Sequence, residues 1–443
     1  MLYIIYGDNQ IERYKAYEKV GKANLILNKE SISPMDILLS HINSVNLWGE
    51  SQIIFINQNI IVMKIKSILV TLTFVFLILS CSKDDDSGSQ PTGTITGKLM
   101  VKNGSKPVGG ALIFVSGDNE KLYYTYTNAT GDFTFKAPVG ERKLHMQTGN
   151  GDNFRTSLSV TVVKDQTITI DPSVARLDQV ANMAYVAGLY DEIQDIVTGL
   201  GYTITAITNT DLTNYATLSQ YDVIFLNCGA KQGFTSTAMD DNLANFVANG
   251  GSLYASDWAV AYLTGGLTNS PNCGQTGGFI PDDKLCTKNI GDETTITGAL
   301  VPFSSLATSV GFSSLDITYD LGSWEQIFTY DPGYWDVLVA EPTANTPLMI
   351  KTNNFSGGTV SSPVGNDSDP NWMTICHTDD SGVSITLTID VAEWADHDAH
   401  GDSVGPCSST NNSGTIYYTT FHNHATGNIG NAGLILEYVI LNL

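Results

Sequence analysis

The stretch that decides the fold is Tyr221–Trp258, which reads YDVIFLNCGAKQGFTSTAMDDNLANFVANGGSLYASDW. Its Val/Ile/Phe/Leu run follows a Tyr-Asp turn and is typical of a buried parallel strand. An amphipathic segment ending at two glycines comes next, and a second apolar strand, Ser252 to Ala255, follows it. The apolar residues of the segment recur at helical spacing: Met239, Leu243, Phe246 and Val247. This order predicts a strand, helix, strand unit.

Polar residues follow both predicted strands. Cys228 and Gly229 come after the first strand, and Ser256, Asp257 and Trp258 come after the second. Ligands of open parallel sheets bind at the carboxyl ends of the strands. We therefore expect these residues to form the binding site.

The composition excludes one class of partner. The chain has 443 residues, 42% of them hydrophobic, and a formal net charge of −23. The length allows two or three domains with real cores. Such an acidic body repels phosphate backbones, so we expect no nucleic-acid partner.

An export signal begins inside the chain. Residues 1–62 carry no such signal and read as an over-extended start or an unassigned segment, whereas residues 63–81 have a basic start, an apolar run from Ile68 to Leu79, and Cys81. The ending Leu79-Ser80-Cys81 resembles the lipobox of bacterial lipoproteins, which implies that Cys81 carries lipid and anchors the chain to the membrane. The cluster Ser82 to Asp86 resembles the surface-export signal of Bacteroidota lipoproteins; alone, it would be a solvated charge run. Residues 82–92 then form an acidic, flexible tether.

Residues 93–172 show short alternating segments separated by turns, which predicts a small all-β sandwich. The pieces GTITGKLMV and Thr127 to Phe135, with the turn Thr130-Gly131-Asp132, resemble the carboxypeptidase regulatory-like family, a prealbumin-type sandwich. The resemblance implies a stabilising or presenting module, and some relatives bind carbohydrate.

From residue 182 to residue 443, strand and helix patterns alternate, which predicts a parallel sheet with long inserts. The strand YDVIFLN, the helix that ends at Asn249-Gly250-Gly251 and the late strand GTIYYTTFHNH resemble the class I glutamine amidotransferase-like superfamily, which includes ThuA-like proteins. The resemblance implies a flavodoxin-like sheet. The predicted fold is thus multidomain: a small all-β sandwich followed by a flavodoxin-like α/β domain.

The same resemblance suggests a catalytic pair. Amidotransferases carry a nucleophile at a strand-to-helix elbow and a histidine after a late strand, and Ser256 and His422 occupy those positions here. An elbow needs small residues two before and two after the nucleophile, but Tyr254 and Trp258 stand there. His424 replaces the usual acid, so a degenerate binding pocket is the competing interpretation.

One acidic stretch contains residue types that commonly bind metal ions. Asp396, His397 and His400 suit zinc or calcium, but their spacing matches no known metal motif, and a hydrated loop is the alternative. No cofactor is required by this sequence.

The six cysteines suggest two disulfides. Cys273 and Cys286 share one insert, and Cys376 and Cys407 bracket another. Outside the cytoplasm each insert would close a local disulfide, while Cys228, at the end of a buried strand, reads as a core thiol.

Two functions remain. The first is a lipid-anchored, surface-exposed outer-membrane protein with a non-catalytic binding or accessory role toward an extracellular glycan or protein. The second is an extracellular hydrolase that uses Ser256 and His422. The binding role is compatible with the large residues Tyr254 and Trp258 beside Ser256, whereas the hydrolase is not.

Replacing Cys81 by serine is predicted to release the protein from the membrane fraction, because that one residue would carry the lipid. Fractionation of cells followed by immunoblotting measures this, with Ser82→Ala as the matched control that stays in the membrane. Retention of the Cys81→Ser protein would exclude the lipid anchor.

Overall fold

The structure is a computed structural model that describes part of the chain. It gives the backbone of residues 2–6, 10–17 and 26–30, and it describes residues 90–117, 121–231, 236–266, 278–301, 304–359, 371–378, 382, 384–407, 413–423 and 429–443. The chain divides into two compact units, residues 1–87 and 88–443. The predicted signal segment with Cys81, and also Cys273 and His424, lie outside the described residues.

The first unit contains three described strands, β1 (Leu2–Tyr6), β2 (Gln10–Tyr17) and β3 (Ile26–Glu30). They form an antiparallel sheet in the order β1-β2-β3.

The second unit begins with two sheets that face each other as a sandwich. Their strands are β4 (Thr92–Lys98), β5 (Leu112–Ser116), β6 (Leu122–Tyr126), β7 (Asp132–Pro138), β8 (Gly140–Gln147), β9 (Phe154–Val162), β10 (Thr167–Ile170) and β11 (Asp178–Gln179). One sheet has the order β10-β4-β7, and the other has the order β11-β9-β8-β5-β6. Inward-facing side chains such as Ile95, Phe133, Leu144 and Met146 are almost fully buried between the sheets.

The turn before β7 shows why its sequence folds locally. The side chain of Asn128 accepts hydrogen bonds from the backbone N–H groups of Thr130 (3.0 Å) and Asp132 (2.9 Å). Gly131 adopts φ +76°, and a Cβ atom there would lie 2.6 Å from the carbonyl oxygen of Leu99. Glycine is therefore required at this turn.

A larger sheet follows, and it contains nine of the described strands. They are β12 (Met183–Val186), β13 (Thr205–Ile207), β14 (Val223–Leu226), β15 (Ser252–Ser256), β17 (Thr294–Leu300), β18 (Ser314–Tyr319), β20 (Asp336–Glu341), β21 (Thr346–Thr352) and β25 (Ile416–Thr419). Their order is β13-β12-β14-β15-β25-β21-β20-β17-β18. A separate antiparallel pair joins β16 (Leu285–Asn289) to β19 (Glu325–Tyr330).

The prediction of a parallel sheet is correct for only part of this sheet. The strands β13, β12, β14, β15 and β25 are mutually parallel, whereas β21, β20, β17 and β18 extend the sheet with antiparallel pairing. The physical reason is the length of the connections: β20 and β21 are joined by the short turn 342–345, which reverses the chain and leaves no room for a crossover helix. The described chain is therefore mostly β, in several sheets.

The described part of the second unit also contains α-helices, some of which pack on the two faces of the large sheet. The helices are α1 (Ile193–Gly199), α2 (Tyr215–Leu218), α3 (Thr237–Ala248), α4 (Val260–Thr264), α5 (Ser305–Val310), α6 (Trp394–His400) and α7 (Ala432–Asn442). The predicted apolar stripe of α3 is buried, since Met239, Leu243, Phe246 and Val247 are each 0% exposed. On the opposite face, α7 buries Ile435, Leu436 and Val439 in one hydrophobic core that also includes the interior of the sandwich.

The insert before β25 forms a small sheet of its own. Its strands are β22 (Trp372–Thr378), β23 (Ser384–Asp390) and β24 (Ser403–Val404), in the order β23-β22-β24. Its buried side chains Ile375, Leu387 and Ile389 pack against Leu112 and Phe114 of the sandwich. The insert therefore packs against the β-sandwich.

The predicted disulfide Cys376–Cys407 is confirmed within this insert. Cys286 is also disulfide-bonded, but its predicted partner Cys273 lies outside the described residues. Cys228 is a buried free thiol.

Within the part of the chain that the structure describes, none of the helices combines the length and the apolar composition that a membrane crossing requires.

Replacing Cys376 and Cys407 together by serine is predicted to destabilise the insert. The disulfide closes a loop with a sequence separation of 31 residues, and the loop-entropy relation gives about 3–4 kcal/mol for such a loop. Denaturant unfolding followed by circular dichroism measures the change. An unchanged midpoint would show that the insert is held by its packing alone.

A digest without reduction is predicted to contain the second disulfide, Cys273–Cys286. Trypsin cleaves after Lys284 and Lys288, so the pair would appear as residues 232–284 joined to residues 285–288. Mass spectrometry identifies the linked pair. A linkage to Cys228 instead would contradict both the pairing and the assignment of Cys228 as a core thiol.

Candidate functional site at the carboxyl edge

The carboxyl ends of four parallel strands are tied together by one buried carboxylate. Asp191, which follows β12, accepts hydrogen bonds from the hydroxyl of Ser256 and from the backbone N–H of Asn423 (3.0 Å). The Ser256 hydroxyl oxygen also accepts the backbone N–H of Cys228 (3.0 Å). Burial raises the pKa of Asp191 to about 7, against the hydrogen bonds, which lower it. Ser256 and Asp191 are thus structural partners that hold the edge together.

The sharp turn at the end of β15 is at Asp257, not at Ser256. Ser256 has extended backbone angles, φ −117° and ψ 133°, whereas Asp257 has φ +43°. Counted from Asp257, the residues two before and two after are Ala255 and Ala259, which are the small residues that an elbow requires. The predicted placement of Ser256 at the elbow is therefore off by one residue, because β15 continues one residue further than Ala255.

Asp257 is buried among several polar partners. Its Oδ1 accepts the backbone N–H of Glu325 (2.7 Å), while its Oδ2 lies 3.4 Å from Cys228 Sγ and 3.7 Å from His422 Nδ1. Burial raises the pKa of Asp257 to about 8, and the negative charges of Glu325 and Asp191 add to that shift. At neutral pH the protonated acid is the favoured form of this side chain.

A cavity of about 180 Å³ opens above Asp257. It includes the predicted residues Cys228, Asp257, Trp258 and His422; the other lining residues are Tyr190, Thr318, Tyr319, Asp320, Leu321, Gly322, Trp324, Phe421 and Ile429. Ser256 and Gly229 are not among the described lining residues, and Ser256 is 0% exposed. The structure therefore brings His422 to the cavity with Asp257 and places Ser256 beneath it.

Aromatic rings held by hydrogen bonds form much of the cavity wall. Trp258 donates its indole N–H to the carbonyl of Ser323 (2.8 Å), and its ring meets Tyr190 edge-on at 5.3 Å. Tyr319 and Trp324 stack with ring centroids 4.0 Å apart. Rings that are fixed in this way offer preformed apolar faces to a ligand.

Sequence reasoning did not identify the residues that β18 and the loop after it contribute, Tyr319 and Trp324 among them. They come from the antiparallel extension, whose position beside the parallel edge no local pattern reveals. Asp191 was also missed, although it follows a predicted parallel strand and the same strand-end argument applies to it.

Among the residues that the structure describes, the polar groups of the site do not form an activated nucleophile. The Ser256 hydroxyl is engaged with Asp191 and with the Cys228 N–H. Burial and the nearby Asp257 raise the pKa of the Cys228 thiol well above its usual value, which favours the unreactive neutral form. Cys228, Asp257 and His422 have ligand atoms within 4.8 Å of one another, so their residue types suit a zinc ion, but the ion would have to displace the thiol proton.

The residues that the sequence suggested as metal ligands lie elsewhere, on α6. His397 and His400 are brought together around Asp402, with His377 of β22 beside them, while Asp396 is exposed on the helix and lies outside this group. The carboxylate of the group is Asp402, because the turn that ends α6 at Gly401 brings residue 402 back under the histidines.

Comparisons with known proteins give partial structural likenesses. No protein-family model and no curated protein sequence matches the chain. A structure from Bacteroides uniformis described as a carbohydrate binding protein is 17% identical, with 21% of this chain and 45% of that chain covered and a TM-score of 0.16. A DUF3823 family protein from Parabacteroides merdae is 14% identical, with 21% and 49% covered and a TM-score of 0.17.

A third structure, from Bacteroides uniformis and described as a thua-like protein, is 14% identical, with 39% of this chain and 77% of that chain covered and a TM-score of 0.26. The chain spans about half the length of the first two structures.

Replacing Asp257 by asparagine is predicted to flatten the dependence of stability on pH. In the native protein Asp257 keeps its proton up to about pH 8, whereas in the unfolded chain it loses the proton near pH 4. Stability contributed by this group therefore falls as pH rises from 4 to 8, by about 1.4 kcal/mol per pH unit. The Asp257→Asn substitution removes the contribution of this group to the slope, because an amide does not titrate in this range, while the contribution of Asp191, whose pKa is also raised, is kept.

Urea unfolding of both proteins at pH 5, 6 and 7 measures the difference. The exposed Asp398→Asn variant is the matched control and keeps the wild-type slope. Equal losses of stability by Asp257→Asn and the wild type over this range would contradict the assignment of Asp257 as a buried, neutral carboxyl group.

Proposed function

We propose that the chain is a lipid-anchored surface protein with a non-catalytic binding role, and that the cavity above Asp257 holds a small carbohydrate. The main support for this proposal is that one cavity combines aromatic rings held in place with polar side chains. Sugar rings present apolar C–H faces, which pack on aromatic rings, and hydroxyl groups, which need hydrogen-bond partners.

The carboxyl groups supply those partners. Protonated Asp257 lines the cavity with its Oδ2 3.7 Å from Nδ1 of His422, and Asp320 lines the same cavity. A neutral acid and a carboxylate together can donate to and accept from sugar hydroxyls without placing two buried charges side by side. The cavity is therefore better suited to a neutral polyol than to an anion.

The same contacts support binding rather than turnover. An acyl-transfer site needs a nucleophile within reach of a base, and Ser256 is buried beneath the cavity with its hydroxyl engaged by Asp191. An aspartate nucleophile at the elbow would need its ionised form, which the raised pKa of Asp257 disfavours. The hydrolase that uses Ser256 and His422 remains the alternative, and its geometry is the less favourable of the two.

We also propose a specific fold for the two parts of the second unit. Numbered along the chain, the five parallel strands lie in the order second, first, third, fourth, fifth, which is that of flavodoxin-like sheets. This order, with the elbow at Asp257, supports an amidotransferase-like or ThuA-like body. The two small sheets before it support a prealbumin-type sandwich of the carboxypeptidase regulatory-like kind.

The location of the protein at the membrane is proposed from the sequence alone. The signal-like segment 63–81, the lipid on Cys81 and the acidic tether 82–92 would place the sandwich and the cavity outside the outer membrane. An oxidising location agrees with the disulfide Cys376–Cys407.

The binding role predicts that neutral monosaccharides or short oligosaccharides quench or shift the tryptophan fluorescence and bind in calorimetric titrations. Trp258→Ala is expected to weaken binding at least tenfold, because the ring forms part of the cavity wall. Trp372→Phe is the matched control, since Trp372 packs under Lys143 and Arg155 of the sandwich.

Two outcomes would overturn the proposal. Equal binding by the wild type and the Trp258→Ala protein would place the ligand elsewhere. Turnover of ester or amide substrates that is abolished by both Ser256→Ala and His422→Ala would favour the hydrolase.

A further inference from the structure

Three histidines and one carboxylate form a second cluster, within the insert. Asp402 Oδ2 lies 2.7 Å from Nδ1 of His377 and 2.7 Å from Nδ1 of His397, and Asp402 Oδ1 lies 3.3 Å from Nδ1 of His400. The rings of His377 and His400 stack with centroids 5.1 Å apart. Four of the side chains that most often ligate transition metals or orient their ligands thus meet at one point.

Hydrogen bonding alone does not complete this cluster. His377 is 1% exposed, and its second ring nitrogen, Nε2, is buried with no hydrogen-bond partner among the described residues. A buried polar atom without a partner costs free energy, about 1–3 kcal/mol in typical cases. That nitrogen lies on the side of the ring away from Asp402, so it is a polar atom that the described residues leave unsatisfied and not a ligand of an ion that Asp402 would hold.

The fold fixes the members of the cluster from different elements. His377 lies near the end of β22, and His397 and His400 lie on α6. Gly401 then turns the chain with φ +98°, and Asp402 comes next, two residues before the end of β24. The disulfide Cys376–Cys407 joins the residue before His377 to the segment after β24. The side chains are therefore held by a covalently closed scaffold, as a preorganised metal site requires.

We propose that His377, His400 and Asp402 bind one divalent transition-metal ion of the zinc class. Their ligand atoms lie within 4.8 Å of one another, and an ion taken up between the Nδ1 atoms of the two histidines and the Asp402 carboxylate would replace the present hydrogen bonds with bonds of about 2.0–2.2 Å. His397, whose Nδ1 faces the same carboxylate oxygen as His377, is a positioning residue that orients Asp402. Two imidazoles and a carboxylate leave a fourth tetrahedral position for water.

The ion would act as a clamp on the insert. It would join α6 to β22, and the segment before α6 reaches the sandwich, where Lys143 pairs with Asp390 (2.8 Å) and His145 lies 3.3 Å from Glu393. Metal binding would therefore stabilise the docked insert without contacting the cavity. This inference does not depend on the proposed function.

The experiment measures zinc binding to the purified full chain carrying Cys228→Ser and His422→Ala, which removes the second group of potential ligands. After treatment with a chelator and dialysis, zinc chloride is added, and bound zinc is determined by atomic emission and by calorimetric titration. One equivalent of zinc per chain is expected, with a rise in the melting temperature.

Adding His400→Ala is expected to weaken zinc binding more than a hundredfold, and adding His397→Asn is expected to weaken it tenfold to a hundredfold. His400 is the safest ligand to change because its side chain is 26% exposed. The matched controls are Asp396→Asn and Asp398→Asn, exposed acids on the same helix, which are expected to keep the wild-type affinity.

Absence of zinc binding by the folded background protein would overturn the proposal and leave the cluster as a hydrogen-bonded network. Equal affinity with and without His400→Ala would overturn it as well, because the ion would then lie elsewhere. Loss of affinity in Asp396→Asn would instead support the hydrated surface stretch of α6 as the site.

Discussion

The described core of the second unit depends on one buried carboxylate, Asp191, which binds the ends of the parallel strands to one another. It accepts the Ser256 hydroxyl from the end of β15 and the Asn423 N–H after β25, and through Ser256 it also fixes the Cys228 N–H after β14. Backbone groups at strand ends have no neighbours in the sheet, so they need other partners when buried. Asp191 and Ser256 supply those partners, and the cavity floor is rigid as a result.

This arrangement explains how a sequence can contain a serine and a histidine at the positions of a catalytic pair although the serine has a structural role. Ser256 and His422, which the sequence suggests as an elbow nucleophile and its histidine, are both present, but the Ser256 hydroxyl is used to hold the scaffold. The residue that reaches the cavity from the elbow is Asp257, and its burial keeps it in the acid form near neutral pH. A buried acid with hydrogen-bonding capacity is useful for recognition and poor for nucleophilic attack.

The sequence alone predicts the strand, helix, strand unit of Tyr221–Trp258, because an apolar run and apolar residues at helical spacing are strong local signals. It was also sufficient for the pairing of Cys376 with Cys407. It could not predict the antiparallel extension of the sheet, since pairing of β21 with β25 joins segments separated by a long insert. The one-residue error at the elbow has a similar cause: the backbone angles of Ser256 and Asp257 depend on tertiary contacts with Asp191 and Glu325.

The two polar clusters described above, around Asp257 and around Asp402, show the same limit for the prediction of sites. Asp402 lies only two residues from His400, but its role becomes visible only when β22 brings His377 to it. Likewise, Trp324 enters the cavity wall from a segment whose pattern gives no sign of a site. Local spacing identifies the donor types, and the sheet topology decides which of them meet.

The most direct test of the central claim, that Ser256 is a structural rather than a reactive residue, is labelling with an organofluorophosphonate probe followed by mass spectrometry of the peptide containing residue 256. The account predicts that Ser256 stays unmodified in the folded protein, because its hydroxyl is buried and engaged with Asp191. Labelling of Ser256 in the wild type that disappears in the His422→Ala variant would contradict the account.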